Sequence, residues 1–160
     1  MPLTEDLITS LEQEIPGYNR RPLDVEDLER LCQEEGVVLV VHPFPGEGLY
    51  FEHRGVPVVT VNRRLEPNHA AFVGFHEFFH YRFHPGTIHT YSSTPFWLNK
   101  IEFQASVLAS LAVLPTPWLV QALARQEPLN EVFNLPEYIV DFRFRVHQEY
   151  QNLLEDRKDF

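Results

Sequence analysis

The stretch Gly74-Phe75-His76-Glu77-Phe78-Phe79-His80 carries two imidazoles and a carboxylate. Their spacing can do chemistry if the stretch is helical. Phe72, Phe75, Phe79 and Phe83 recur along one face of a helix, which predicts a helix from Asn68 to His84, closed by Pro85 and Gly86. On it, His76 and His80 sit one turn apart and point the same way. Two imidazoles so placed can grip one zinc ion. Glu77 is adjacent to a ligand but turned elsewhere, the position of a general base for a water that the metal activates. H-E-x-x-H is short, and chance produces it, so its surroundings carry weight. Two histidines and a glutamate on a strongly apolar helix are costly to bury without partners, and one metal satisfies both rings. The aromatic stripe itself reads as core, not as a substrate groove.

A catalytic zinc takes three protein ligands and keeps one position open. The run after Asn99 predicts a helix from Lys100 to Leu114, apolar almost all round from Ala105 onward, and so central. Glu102 stands at its start, on the side of Ser106. Its bland reading is a carboxylate favoured by a helix N-terminus. Beside H-E-x-x-H the better reading is the third ligand, giving His76, His80 and Glu102. The polar and aromatic loop from Thr87 to Trp97 leaves one of these helices and returns before the other. His89 and Tyr91 in it are candidates to border the cleft and steady an oxyanion, ranked below ordinary solvated loop residues.

The elements that must position these groups are legible in order. Thr4 caps a first helix running to about Glu14, and Asp24 caps a second that Gly36 stops. Val37 to Val41 is a β-branched strand, Leu49 to His53 a short one, and Val56 to Val61 a third after the turn Arg54-Gly55. Pro57 marks an edge or a strand start. Together they predict a small antiparallel meander, after which Asn68 caps the H-E-x-x-H helix. A strand beside that helix would offer its backbone to an extended peptide.

The 160 residues fit one compact domain with a small appendage. Twenty-three acidic against 13 basic residues give a net charge of −10, which disfavours gripping phosphate backbones. A lone cysteine, Cys32, excludes an internal disulfide and reads as a small buried residue. No signal-peptide pattern and no apolar run of membrane-spanning length is visible, so a cytoplasmic protein is expected.

Three stretches in order resemble the ImmA/IrrE family of small bacterial metallopeptidases. They are Pro57-Val58-Val59-Thr60-Val61-Asn62, then Ala71 to His80 with His84 following, then Glu102 to Pro115. The likeness covers roughly residues 25–150, and three linked motifs are far more specific than one. Phe78-Phe79 replaces the family's usual Leu-Gly, and Gln104 stands where a second acid is common. Ser106 replaces Asn or Asp, at a position that in the family looks like a group holding a metal-bound histidine. His84 continues the histidine face as an outer-layer or surface group; a fourth protein ligand would close the site. Residues 128–150 are similar to the family's helix–turn–helix-like segment, where Arg143 and Arg145 tempt a DNA reading that the acidic chain disfavours.

The resemblance implies an α+β, thermolysin-like minimal metallopeptidase, with helices around a small antiparallel sheet. A zinc metallopeptidase domain would span residues 1–125, and a C-terminal helical segment, 126–160, would pack on it. It implies a Zn2+-dependent endopeptidase whose substrate is a protein, a helix–turn–helix repressor, cut in a stress, phage or mobile-element response. Neither nucleic acid nor membrane is an expected direct partner. Two other classes stand beside it: a binding module that sequesters a repressor without cutting it, keeping a structural or vestigial metal site, and a DNA-binding regulator using residues 128–150.

Overall fold

The computed structural model describes residues 3–84, 89–91 and 100–155. Helix α1 (Glu5–Glu14) begins where the Thr4 hydroxyl accepts from the Leu7 amide at 3.2 Å. Helix α2 (Val25–Glu35) begins at a reciprocal capping box between Asp24 and Asp27 and ends on Gly36 in the left-handed conformation, φ 73°. Among the described residues, four strands follow the order β1-β3-β2-β4, with β1 Val38–His42, β2 Gly48–His53, β3 Val56–Asn62 and β4 His89–Tyr91.

The α+β class holds, but the sheet is mixed and not an antiparallel meander. β2 and β3 form the expected hairpin, turning on Arg54 and Gly55 at φ 51° and 77°. Both central residues lie in the left-handed region, the turn whose twist matches a two-residue hairpin. β1, however, pairs with β3 in parallel, Val38 opposite Val58. The chain after β1 passes the end of β3 and is stitched there. Asn62 donates from Nδ2 to the carbonyls of Phe44 and Gly46, at 3.0 and 2.6 Å. The amides of Asn62 and Arg63 donate to Glu47 and His42. These bonds place β2 on the far side of β3, so β3 is central and Pro57 sits at its start.

Helix α3 (Pro67–Phe83) lies against β2 and β3 on one side and against α2 and α4 (Lys100–Val113) elsewhere. It is therefore buried all round from Ala70 to His80, with no solvent face in that stretch. Phe72, Phe75, Phe78 and Phe79 are fully buried, each worth about 1.5–3 kcal/mol relative to exposure. Gly74 is the close approach: a Cβ there would collide with Leu28 of α2 and reach Val61 Cγ2 at 3.2 Å. Asn68 does not cap α3. Pro67 occupies the first turn, preceded by Glu66, which makes no side-chain capping bond. Asn68 instead donates from Nδ2 to the Phe133 carbonyl at 2.6 Å. The expected cap of α4, Asn99, lies outside the described residues. Among the described residues, no single helix is long and apolar enough to cross a membrane.

Helices α5 (Thr116–Ala124), α6 (Leu129–Val132), α7 (Glu137–Glu149) and α8 (Gln151–Glu155) close the fold. Arg143 of α7 is completely buried. Its Nε donates to the Leu114 carbonyl at 2.7 Å and its Nη2 to Thr116 Oγ1 at 3.0 Å. Thr116 in turn donates, from N and Oγ1, to Asn19 Oδ1. Burial pushes the guanidinium down to about 9, so it is still charged at neutral pH. This side chain ties α7 to the α4–α5 corner and is withdrawn from any phosphate. Arg143→Ala is expected to cost about 2–4 kcal/mol, from the cavity and the abandoned acceptors. Exposed Arg145→Ala should stay within about 0.5 kcal/mol. Urea unfolding of the two variants checks the contrast.

Candidate metal centre

The buried middle of α3 aims His76 and His80 toward the first turn of α4. Glu102 meets both: Oε2 lies 2.9 Å from His76 Nε2, and Oε1 lies 3.0 Å from His80 Nε2. The two Nε2 atoms are 3.0 Å apart. Both rings are fully buried, and the glutamate side chain is 20% exposed. Burial opposes ionisation of Glu102, but hydrogen bonds from His76 and His80 outweigh it and hold the carboxyl well below the usual range.

These groups fit a metal. One donor atom from each lies within 4.8 Å of the others. Their spacing is close to the roughly 3.3 Å expected between neighbouring ligands of a four-coordinate zinc with bonds of about 2.0–2.1 Å. Two imidazoles and one carboxylate leave room for a further ligand. Glu77 stands outside this trio of donors. It is fully buried and faces the start of β2. A Cβ on Gly48 would lie 3.2 Å from Glu77 Cγ and 3.4 Å from its Oε1, and would collide with Val73. Gly48 is thus the residue that makes space for the Glu77 carboxyl. Sequence reasoning missed it, because a glycine opening a strand carries no sign of what crosses it.

A second layer holds the rings. Ser106 Oγ is 3.0 Å from His76 Nδ1. Ser106 lies one turn after Glu102 on α4, so one face of one helix supplies both contacts to His76. His84 Nδ1 is 3.0 Å from His80 Nδ1, and His84 Nε2 is 3.1 Å from Gln104 Oε1. His84 and Gln104 also line a cavity of about 400 Å³ with Leu3, Leu7, Phe83 and Phe103. The segment expected to be loop contains β4: His89 pairs with Tyr50, and Tyr91 with Gly48. The side chains of His89 and Tyr91, and the rest of the Thr87–Trp97 loop, lie outside the described residues. The backbone of β4 nonetheless runs beside the strand that faces Glu77.

The IrrE N-terminal-like domain family, Peptidase_M78, matches residues 32–147. No curated protein and no solved structure gives a significant match.

Proposed function

The chain belongs to the IrrE N-terminal-like family of metallopeptidase domains, and from that premise we propose that it is a zinc-dependent endopeptidase cutting one protein partner, a helix–turn–helix repressor. The observation that carries the reading is the convergence of His76, His80 and Glu102 at about 3 Å, with Glu77 buried beside them but outside the trio. Zinc, when bound, would polarise the scissile carbonyl and lower the pKa of a water into the neutral range. Glu77 would accept a proton from the attacking water and return it to the leaving amine. His76 and His80 are kept in orientation by groups on their far nitrogens. Among the described residues β4 is the edge strand beside β2, and its outer edge can pair with an extended peptide.

A protein partner suits the chemistry outside the centre. The chain is acidic, net −10, and Arg143 is spent on internal carbonyl and hydroxyl contacts, so phosphate binding finds little support. A peptidase working in the cytoplasm must be narrow in choice, and a stress, phage or mobile-element repressor is such a target. The test incubates the zinc-loaded protein with a panel of purified helix–turn–helix repressors and maps fragments by mass spectrometry. The expected result is one discrete cut in one repressor, abolished by chelator and restored by zinc. A repressor released from its operator uncut, with or without metal, would replace the peptidase with a sequestering module.

A further inference from the structure

His84 lies one turn beyond His80, and each of its ring nitrogens has a neighbour: His80 Nδ1 at 3.0 Å and Gln104 Oε1 at 3.1 Å. With a metal in the centre, proton counting assigns a direction to these two contacts. His80 Nε2 converges with His76 Nε2 and Glu102, so its lone pair faces the ion and its proton resides on Nδ1. That N–H donates to His84 Nδ1. The single proton of neutral His84 is therefore on Nε2, and it needs an acceptor, which the Gln104 oxygen supplies. With the Gln104 amide reversed, its NH2 would face His84 Nε2. The His84 proton would then meet the His80 proton, donor against donor.

We infer that Gln104 and His84 form a neutral relay that fixes His80 as the Nδ1–H tautomer and presents its Nε2 to the metal. Both are positioning residues, acting through His80. The relay rests on the metal-centre reading. The chain thereby holds its two ring ligands by different means: Ser106 touches His76 directly, whereas His80 is held through a second imidazole. Gln104 comes from the same helix turn as Glu102, so docking α4 on α3 delivers a ligand and the anchor of another ligand together. An uncharged anchor has a further consequence. A carboxylate in place of the amide would accept the same His84 proton more strongly and make His80 a better donor to the metal.

The test measures zinc affinity by chelator competition in wild type, His84→Phe, His84→Gln, Gln104→Leu and Gln104→Glu. Long-range 1H–15N spectra of the zinc-loaded wild type read the ring tautomers directly. The expected result is His80 protonated at Nδ1 and His84 at Nε2. Affinity should fall by about 10–100-fold in His84→Phe and about tenfold in Gln104→Leu. His84→Gln, whose amide oxygen can accept from His80, should regain part of the loss, and Gln104→Glu should bind at least as tightly as wild type. Wild-type affinity in both His84→Phe and Gln104→Leu overturns the relay while leaving the metal centre standing. So does a His84 proton found on Nδ1. A wild type that binds no zinc removes the metal centre and the relay with it. The wild-type spectra decide the question even if a variant fails to fold.

Discussion

Glu77→Gln should keep its zinc and lose its peptidase activity. The amide has almost the shape of the carboxylate, so it fits the space left by Gly48. Glu77 is not one of the three convergent donors, so metal stoichiometry should match wild type. What disappears is a group able to take a proton and give it back. General acid–base catalysis contributes about 10²–10⁴-fold to a rate, and this carboxylate would serve in both directions. A fall in kcat of at least about 10³-fold is therefore expected, with KM little changed, because the side chain is needed at the transition state more than for binding. Thermal stability should not fall, since a fully buried carboxylate is exchanged for a neutral group. Initial rates on the cleaved partner, taken beside metal analysis of the same samples, decide it. Activity within tenfold of wild type would take Glu77 out of the mechanism.

The convergence of the candidate site residues was more legible than the topology, for identifiable reasons. His76 and His80 announce themselves because their relation is local: one helical turn fixes it. Glu102 could be reached because a metal with two ring ligands demands a third, and α4 begins with the only carboxylate in its run. Ser106 could be assigned to a histidine by resemblance, and the geometry identifies that ring as His76. The rest depends on contacts between distant segments. The phenylalanine stripe suggested a helix with one buried face, whereas sheet on one side and helices on the other bury α3 all round. The parallel pairing of β1 with β3 hangs on Asn62 holding residues Phe44 and Gly46, and no strand propensity encodes that. Asn68 looked like a cap because caps are local, but its amide is engaged by Phe133 across the fold. Gln104 read only as an amide where a second acid is common. Its meaning appears only when α4 crosses α3 and brings it to His84.

Glu102→Ala should empty the centre. Each carboxylate oxygen of Glu102 faces a different ring, Oε2 His76 and Oε1 His80, so the truncation removes a ligand and the charge that draws both Nε2 atoms together. Loss of an outer-layer partner costs about 10–100-fold in metal affinity. Loss of a ligand with its negative charge should exceed that, so zinc should fall well below one equivalent after dialysis against a mild chelator. Glu102→Gln separates charge from shape. Its amide oxygen can still approach the metal, but without charge, and affinity should lie between that of alanine and wild type. The metal-free protein supplies an independent check. Contacts with His76 and His80 hold the Glu102 carboxyl well below its ordinary range, so the stability they contribute is fully present above the ordinary carboxylate pKa. It is lost as pH falls through the depressed value. Unfolding of metal-free wild type and Glu102→Gln should therefore differ near neutrality, with wild type the more stable, and converge in strong acid. Zinc retained at one equivalent by Glu102→Ala would mean that another group completes the centre, and the His76–His80–Glu102 assignment would fall even with both histidines in place.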